Sequence, residues 1–166
     1  MTNDTKSFCQ KDREMMATAL DEARTATAHQ DVPVGAVLVD NCTGAVIATA
    51  HNTREKEGSA LGHAEISAIQ TACKALGTWR LSNCTLYVTL EPCPMCAGAI
   101  MGARIPRVVC GAKDAVAGAM GSVWSLHTHP VAQTHTQIQF GCMEEEAKDL
   151  LRLFFAERRK EEHQDI

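Results

Sequence analysis

His63-Ala64-Glu65 and Pro92-Cys93-Pro94-Met95-Cys96 are the two stretches that decide how this chain folds and what chemistry it performs. Together they supply one imidazole and two thiols, a ligand set that suits zinc. Three protein ligands leave the fourth tetrahedral position of zinc open for water, whose pKa zinc lowers from about 16 to about 7. The carboxylate of Glu65 remains available to carry protons, so the two stretches predict a hydrolytic metal site.

The spacing of these residues predicts that they share one location. Cys93 and Cys96 are three residues apart near a predicted helix start, where both sulfurs lie on one face and the helix N-terminus favours thiolate over thiol. His63 lies just before another predicted helix. We therefore expect two helix N-termini at the same end of a sheet to bring the three ligands together.

Each half of this pattern has another interpretation when it is taken alone. A single Cys-x-x-Cys is also typical of half a structural zinc site or of a redox pair, and an isolated histidine is more often a core or capping residue than a ligand. A structural zinc site needs four ligands. The histidines that would have to fill the fourth position lack ligand spacing relative to the cysteines: His51, His127, His129 and His135.

The combination of the two halves is the zinc-deaminase signature, His-x-Glu followed by Pro-Cys-x-x-Cys. In that chemistry the glutamate is a proton carrier and does not bind the metal. Glu65 would take a proton from the activated water and deliver protons to the ring nitrogen and to departing ammonia, while the water oxygen attacks the ring carbon that bears the amine.

Length and composition indicate one soluble globular domain over residues 1–166. The chain is 45% hydrophobic and 22% charged, and no stretch approaches the roughly 20 apolar residues that span a bilayer. The segment from Met1 to Lys11 is polar and lacks the apolar core of a signal peptide. We therefore expect a cytoplasmic protein.

The cysteine count and the net charge exclude two further classes. Eight cysteines would suit a disulfide framework only in a secreted chain, so those outside the metal site are expected to be free thiols. A net charge of −4 argues against a general polyanion binder. Basic residues gather only locally, in two groups that are most simply solvated surface: Arg104, Arg107 and Lys113, and then Arg152, Arg158, Arg159 and Lys160.

The hydrophobic pattern predicts an α/β fold. Helices are expected over 12–28, 64–76, 97–101 (opened by Pro92) and 143–159, and strands over 34–39, 45–50, 85–90, 107–111 and 137–140. The first two strands form a hairpin, and 115–136 is mainly loop with one short helix. Alternating strands and helices with an antiparallel hairpin predict a central mixed five-stranded sheet covered by helices on both faces.

Several further segments resemble bacterial tRNA-specific adenosine deaminases of the TadA type, within the zinc-dependent cytidine and deoxycytidylate deaminase superfamily. They are VPVGAVLV at 32–39, TLYVTLEPC at 85–93, MCAGAI at 95–100, RVVCGAKD at 107–114 and Phe154-Phe155. The resemblance covers roughly residues 14–160. It implies the three-layer α/β/α cytidine-deaminase-like fold, one zinc per subunit and a homodimer. It also implies conversion of adenosine to inosine at the wobble position of a tRNA anticodon stem-loop.

The resemblance also implies roles for individual residues. It makes His63, Cys93 and Cys96 the zinc ligands and Glu65 the proton carrier. It assigns substrate contacts to Asn52, which would hydrogen-bond the flipped purine, to the backbone of Ala64 at the base, and to Asp114 near the RNA backbone. Without the resemblance, Asn52 would be taken as a turn residue and Asp114 as a loop or capping aspartate.

Three segments that face the RNA in the family differ here, which leaves the substrate open. They read Ser59-Ala60-Leu61-Gly62, Val116-Ala117-Gly118 and Val131-Ala132-Gln133-Thr134-His135. The second lacks a basic residue, which should weaken phosphate contacts unless the histidines at 127, 129 and 135 substitute for it. The alternative is a zinc deaminase of a free nucleobase or nucleoside, such as guanine, cytosine or cytidine. A noncatalytic zinc-stabilised module fits poorly with an open metal site and a retained Glu65.

Overall fold

The computed structural model describes residues 8–130, 132 and 134–164 of the chain. Its strands are β1 (Gly35–Asp40), β2 (Val46–His51), β3 (Cys84–Leu90), β4 (Arg107–Ala112) and β5 (Gln137–Phe140). They form one sheet in the order β2-β1-β3-β4-β5. β1 pairs antiparallel with β2 and β3, whereas β3 with β4 and β4 with β5 are parallel. The predicted mixed five-stranded sheet is therefore confirmed.

The helices are α1 (Gln10–Thr27), α2 (Arg54–Glu57), α3 (Ala64–Leu76), α4 (Pro94–Gly102) and α5 (Glu144–Gln164), and Leu126–Thr128 forms a short 3₁₀ turn. α1 and α5 cover one face of the sheet, while α3 and α4 cover the other. The three-layer α/β/α arrangement is confirmed. No helix in the described part of the chain has the length and apolar character needed to cross a membrane.

Strand residues alternate between two cores, one under each helical layer. Ala36 and Leu38 of β1 pack in the core beneath α3 and α4. Val37 and Val39 of the same strand pack beneath α1. Because both faces of the central strands are buried, these strands are apolar throughout and show no alternation of polar and apolar residues.

Gly35 lets α1 lie close against the sheet. A Cβ atom at this position would fall 1.9 Å from the carbonyl oxygen of Ala19 in α1. No rotamer change relieves such a clash, because the backbone fixes the position of the Cβ and the oxygen is itself a backbone atom. The glycine that begins β1 therefore sets the distance between the helix and the sheet.

The predicted start of α4 at Pro92 is wrong. The helix begins at Pro94, and Cys93 before it is the extended N-cap residue, with φ −71° and ψ 173°. A residue that precedes proline is disfavoured in the helical conformation, while proline itself suits the first helical position, where its missing N–H leaves no hydrogen bond unmade. Pro94 therefore moves the helix start two residues along and puts Cys93 at the cap.

Asp12 in the first turn of α1 is buried, although it is charged. Only 4% of its surface is exposed. Its carboxylate accepts hydrogen bonds from Arg107 at 2.9 and 3.0 Å and from the Tyr87 hydroxyl at 3.0 Å. Arg107 is thus held against α1 and does not form a surface cluster with Arg104 and Lys113. An ion pair that joins a helix to the sheet explains why a charged residue lies inside.

The two neighbouring phenylalanines of α5 differ in burial. Phe154 of α5 is buried, whereas Phe155 is 42% exposed. Successive helical residues point about 100° apart, so the two rings cannot both face the sheet. Of these two rings, only that of Phe154 is buried.

The cysteines are unpaired, as expected. All eight are free thiols, and Cys84, Cys110 and Cys142 are buried. Burial raises the pKa of Cys84 to about 11 and that of Cys142 to about 11, so both thiols stay protonated. These cysteines serve as small apolar core residues.

Candidate active site

The structure brings the three predicted metal ligands together beyond the carboxyl end of β3. His63 is the N-cap residue of α3, Cys93 is the N-cap residue of α4, and Cys96 lies in the first turn of α4. The His63 Nδ1 atom is 3.7 Å from the Cys93 sulfur and 3.5 Å from the Cys96 sulfur. All three ligand atoms lie within 4.8 Å of one another. Two helix starts therefore supply one compact donor set.

The donor set fits zinc in an open site. One imidazole nitrogen and two sulfurs are donors that zinc prefers, and three protein ligands are the number found in catalytic zinc sites. Within the described residues, no fourth histidine, cysteine or carboxylate joins the cluster. A closed structural site with four protein ligands is therefore not formed by this part of the chain. His63 and Cys93 line a cavity of about 180 Å³.

The electrostatics around the ligands favour metal binding and proton transfer. The Cys96 thiol, hydrogen-bonded to the Cys93 sulfur, lowers the pKa of Cys93 to about 4, and the thiolate is the form that binds metals. The same hydrogen bond and burial raise the pKa of Cys96, so Cys93 is the sulfur prepared as a thiolate. Glu65 lies in the first turn of α3, is 3% exposed and also lines the cavity. Burial raises the pKa of Glu65 above its ordinary value, which suits a group that must hold a proton during the reaction.

Asn52 follows β2 and fixes the beginning of α3. Its side chain is 7% exposed, and Oδ1 accepts a 3.0 Å hydrogen bond from the Ala64 N–H, one of the first amides of the helix. Asn52 also lines the cavity. Asn52 therefore supports the helix start, a role different from the turn residue that its sequence indicated. Ala64 is buried with its N–H occupied by Asn52, so its contact with a base stays a prediction.

Asp114 shapes its own loop beside the cavity. Its Oδ1 accepts from the N–H groups of Val116 and Ala117 at 2.9 and 3.1 Å. This is the loop-aspartate role that its residue type indicates. Asp114 and Ala117 both line the cavity, and the contact of Asp114 with RNA stays a prediction.

Glu91, which the sequence analysis missed, holds this loop in place. It is 2% exposed and lines the cavity. Its carboxylate accepts from the N–H groups of Asp114 at 3.0 Å, Met120 at 3.1 Å and Ser122 at 3.0 Å, and from the Ser122 hydroxyl. The position of Glu91, directly after a buried strand and before Pro92, was the feature of the sequence that could have indicated a buried carboxylate at the site.

Two arginines at the cavity were also missed. Arg54 and Arg158 line it, the first from α2 and the second from α5. Asp31, 1% exposed, accepts from the N–H groups of Glu55 at 2.8 Å and Lys56 at 3.2 Å and so anchors α2. The sequence indicates only a solvated helix residue at Arg158, because it cannot show that this part of α5 lies beside the cavity.

The histidines proposed as substitute RNA contacts do not line this cavity. His127 lies instead beside Arg107 in a separate depression, where β4 begins. The metal ligands lie beyond the carboxyl end of β3, whereas this depression lies at the amino end of β4. Because β3 and β4 are parallel, the two sites are at opposite ends of the strands. The divergent segment 131–135 falls partly outside the described residues.

Comparison with known proteins agrees with this geometry. Residues 9–112 match the family model of the cytidine and deoxycytidylate deaminase zinc-binding region. A tRNA-specific adenosine deaminase from Bacillus subtilis (strain 168) is 47% identical over 150 residues, which are 90% of this chain and 92% of that protein. The chain belongs to the family of the tRNA-specific adenosine deaminases. Members of this zinc-binding deaminase superfamily are hydrolytic enzymes, so zinc chemistry at the cluster follows from membership.

Solved structures place the chain among the tRNA-specific adenosine deaminases and near a related group. A structure from work on A-to-I editing by tRNA:A34 deaminases at the wobble position has a TM-score of 0.80 and 43% identity, covering 83% of this chain and 99% of that chain. A guanine deaminase from Bacillus subtilis has a TM-score of 0.57 and 40% identity, covering 60% of this chain and 63% of that chain.

Proposed function

We propose that this protein converts adenosine to inosine at the wobble position of a tRNA anticodon. The observation that carries the proposal is the meeting of the metal-ligand cluster, Glu65 and Asn52 at one cavity. The 47% identity to a tRNA-specific adenosine deaminase supports the choice of substrate. We further propose that the whole chain is one domain that acts as a cytoplasmic homodimer.

The residues at the cavity account for the chemistry of the reaction. His63, Cys93 and Cys96 would hold zinc, which when bound supplies acidified water for hydrolysis. Glu65 would carry the two protons of the water in turn, the first to the ring nitrogen and the second to the amine, which leaves as ammonia. Its burial excludes bulk water and favours the protonated state. The Asn52 side-chain oxygen is held by the helix start, so the amide nitrogen is the group that would donate to a purine acceptor.

Basic residues at the cavity support an RNA substrate. Arg54 and Arg158 line the same cavity as Glu65, although the chain as a whole carries a net charge of −4. A base must leave its stack to enter such a pocket, and neighbouring phosphates then lie near the rim. The two guanidinium groups would neutralise those phosphates.

The alternative, deamination of a free base, has two observations in its favour. The guanine deaminase from Bacillus subtilis shares 40% identity over its matched part. The segment 116–118 also lacks the basic residue expected of a protein that holds RNA there. The two arginines at the cavity favour the RNA reading over this one.

One experiment separates these readings. The zinc-loaded protein is incubated with an anticodon stem-loop that carries adenosine at the wobble position, with a matched stem-loop carrying guanosine there, and with free guanine, cytosine, adenine and cytidine. Inosine is expected only in the first RNA. Ammonia release from a free base alone would overturn the proposal.

The variant Glu65→Gln tests the proton carrier. It should retain zinc, because Glu65 is outside the ligand cluster, and lose activity by about 10²- to 10⁴-fold, the usual contribution of general acid–base catalysis. A Glu65→Gln protein that deaminates as fast as the parent would show that another group moves the proton.

A further inference from the structure

We infer that Glu91 is a positioning residue that builds one wall of the substrate cavity out of the loop 113–122. The inference rests on the proposed function only in taking this cavity as the place where substrate binds. It assigns a role to a carboxylate that the deamination chemistry does not use.

The hydrogen bonds of Glu91 tie three separate points of the loop to the end of β3. One oxygen, Oε2, accepts from the Asp114 N–H at 3.0 Å and from the Ser122 hydroxyl. The other, Oε1, accepts from the N–H groups of Met120 at 3.1 Å and Ser122 at 3.0 Å. One buried side chain thus fixes the beginning and the end of the loop.

The backbone packs closely around the same carboxylate. The Ala119 N–H donates to the Pro92 carbonyl at 2.9 Å. A Cβ atom at Gly118 would lie 2.5 Å from the Glu91 carboxylate and 2.4 Å from the Asp114 carbonyl oxygen. The loop therefore folds directly onto Glu91, and only glycine fits at the point of contact.

The number and type of hydrogen bonds require a carboxylate. All four partners of Glu91 are donors, and a carboxylate accepts at both oxygens. Glutamine has one accepting oxygen and one donating NH₂ group, so an amide here would leave at least one loop N–H facing another donor, even if the Ser122 hydroxyl turns to accept. Because both oxygens are occupied within the loop, Glu91 is not available to exchange protons with a substrate.

The loop held in this way carries residues that form the cavity. Asp114 and Ala117 line it together with Glu91 itself. If the loop loosens, the part of the wall that Asp114 and Ala117 form moves, while the metal ligands keep their own helix starts. Substrate binding should then weaken far more than the chemical step.

The test compares two loop variants with a charge-matched control. Glu91→Gln removes one of the two accepting oxygens, Ser122→Ala removes one hydroxyl donor, and Glu57→Gln makes the same change of charge on exposed α2. For each protein, zinc content, amide hydrogen exchange at 114, 120 and 122, and the KM and kcat for the anticodon stem-loop are measured. Ser122→Ala decides the matter if Glu91→Gln does not fold.

We expect Glu91→Gln to exchange these amides faster and to raise KM about tenfold with kcat nearly unchanged, as loss of uniform substrate binding does. The zinc content of every variant should stay at the parent level. Ser122→Ala should raise amide exchange and KM by less than Glu91→Gln does, and Glu57→Gln should match the parent in both. Unchanged exchange, unchanged KM, or a fall in kcat accompanied by zinc loss would overturn the inference.

If the proposed deamination of tRNA is wrong, the experiment gives a different result. In that case the parent itself leaves the stem-loop unmodified. KM is then measured on whichever free base the parent deaminates, and the same comparison of exchange and KM still decides the role of Glu91.

Discussion

Neutralising Asp12 is expected to weaken the attachment of α1 to the sheet. Burial acts to raise the pKa of this carboxyl, but hydrogen bonds and charge from Arg107, with help from Cys9 and Tyr87, lower it from 3.8 to about 2. Because the folded-state pKa lies below the unfolded value, the stabilisation is fully present above the unfolded pKa. It is lost as pH falls from about 4 through 2.

The size of the effect follows from the two pKa values. Each unit of pKa is worth about 1.4 kcal/mol, so lowering the pKa of Asp12 from 3.8 to about 2 corresponds to about 2 kcal/mol of stability at neutral pH. By linkage, roughly half of this remains at about pH 3. An exposed ion pair makes a useful contrast: Arg24 and Asp21 are 55% and 78% exposed, and such pairs contribute about 0.5 kcal/mol or less.

The assay is urea unfolding of the parent, Asp12→Asn and Asp21→Asn between pH 3 and pH 7. We expect Asp12→Asn to be about 2 kcal/mol or more less stable at pH 7, with the difference shrinking to about half at pH 3. Asp21→Asn should stay close to the parent throughout. Metal loss at acid pH affects all three proteins alike. A gap for Asp12→Asn that is equally large at pH 3, or below about 0.5 kcal/mol at pH 7, would refute the reasoning.

Four other substitutions probe the packing and the cavity. Gly35→Ala should destabilise the fold by about 3 kcal/mol or more in thermal unfolding, because its Cβ would lie 1.9 Å from a backbone oxygen of α1. Gly98→Ala, with open space around the new Cβ in α4, should instead stabilise by up to about 1 kcal/mol; equal effects of the two would contradict the packing argument. Arg158→Ala should weaken stem-loop binding and reduce the slope of log K against log salt by about 1, and an unchanged slope would mean that it contacts no phosphate. Asn52→Ala leaves the first amide of α3 without an acceptor and should raise KM for the stem-loop more than it alters zinc content. A loss of zinc with an unchanged KM would mean that Asn52 only supports the start of the helix.

Local patterns in the chain were sufficient for the secondary structure and the layers. α3 and β5 have the predicted bounds, β3 and β4 differ by one residue at one end, and β1 and β2 are displaced by one residue at both ends. Turn residues, β-branched runs and glycine stops act over a few neighbours, so they can be read without the fold. The error at Pro92 was also local: a second proline two residues later decided where α4 begins.

The sequence by itself determined the type of chemistry. His63, Glu65, Cys93 and Cys96 are chemically distinctive and stand in short motifs, so donor type and spacing alone indicate zinc and a proton carrier. The tertiary structure decided what surrounds them. Asn52 meets the start of α3, Glu91 gathers a loop up to 31 residues away, and Arg158 arrives from the last helix. These contacts join side chains to distant backbone groups whose positions depend on strand order and helix packing, and such contacts leave no repeating pattern in the sequence.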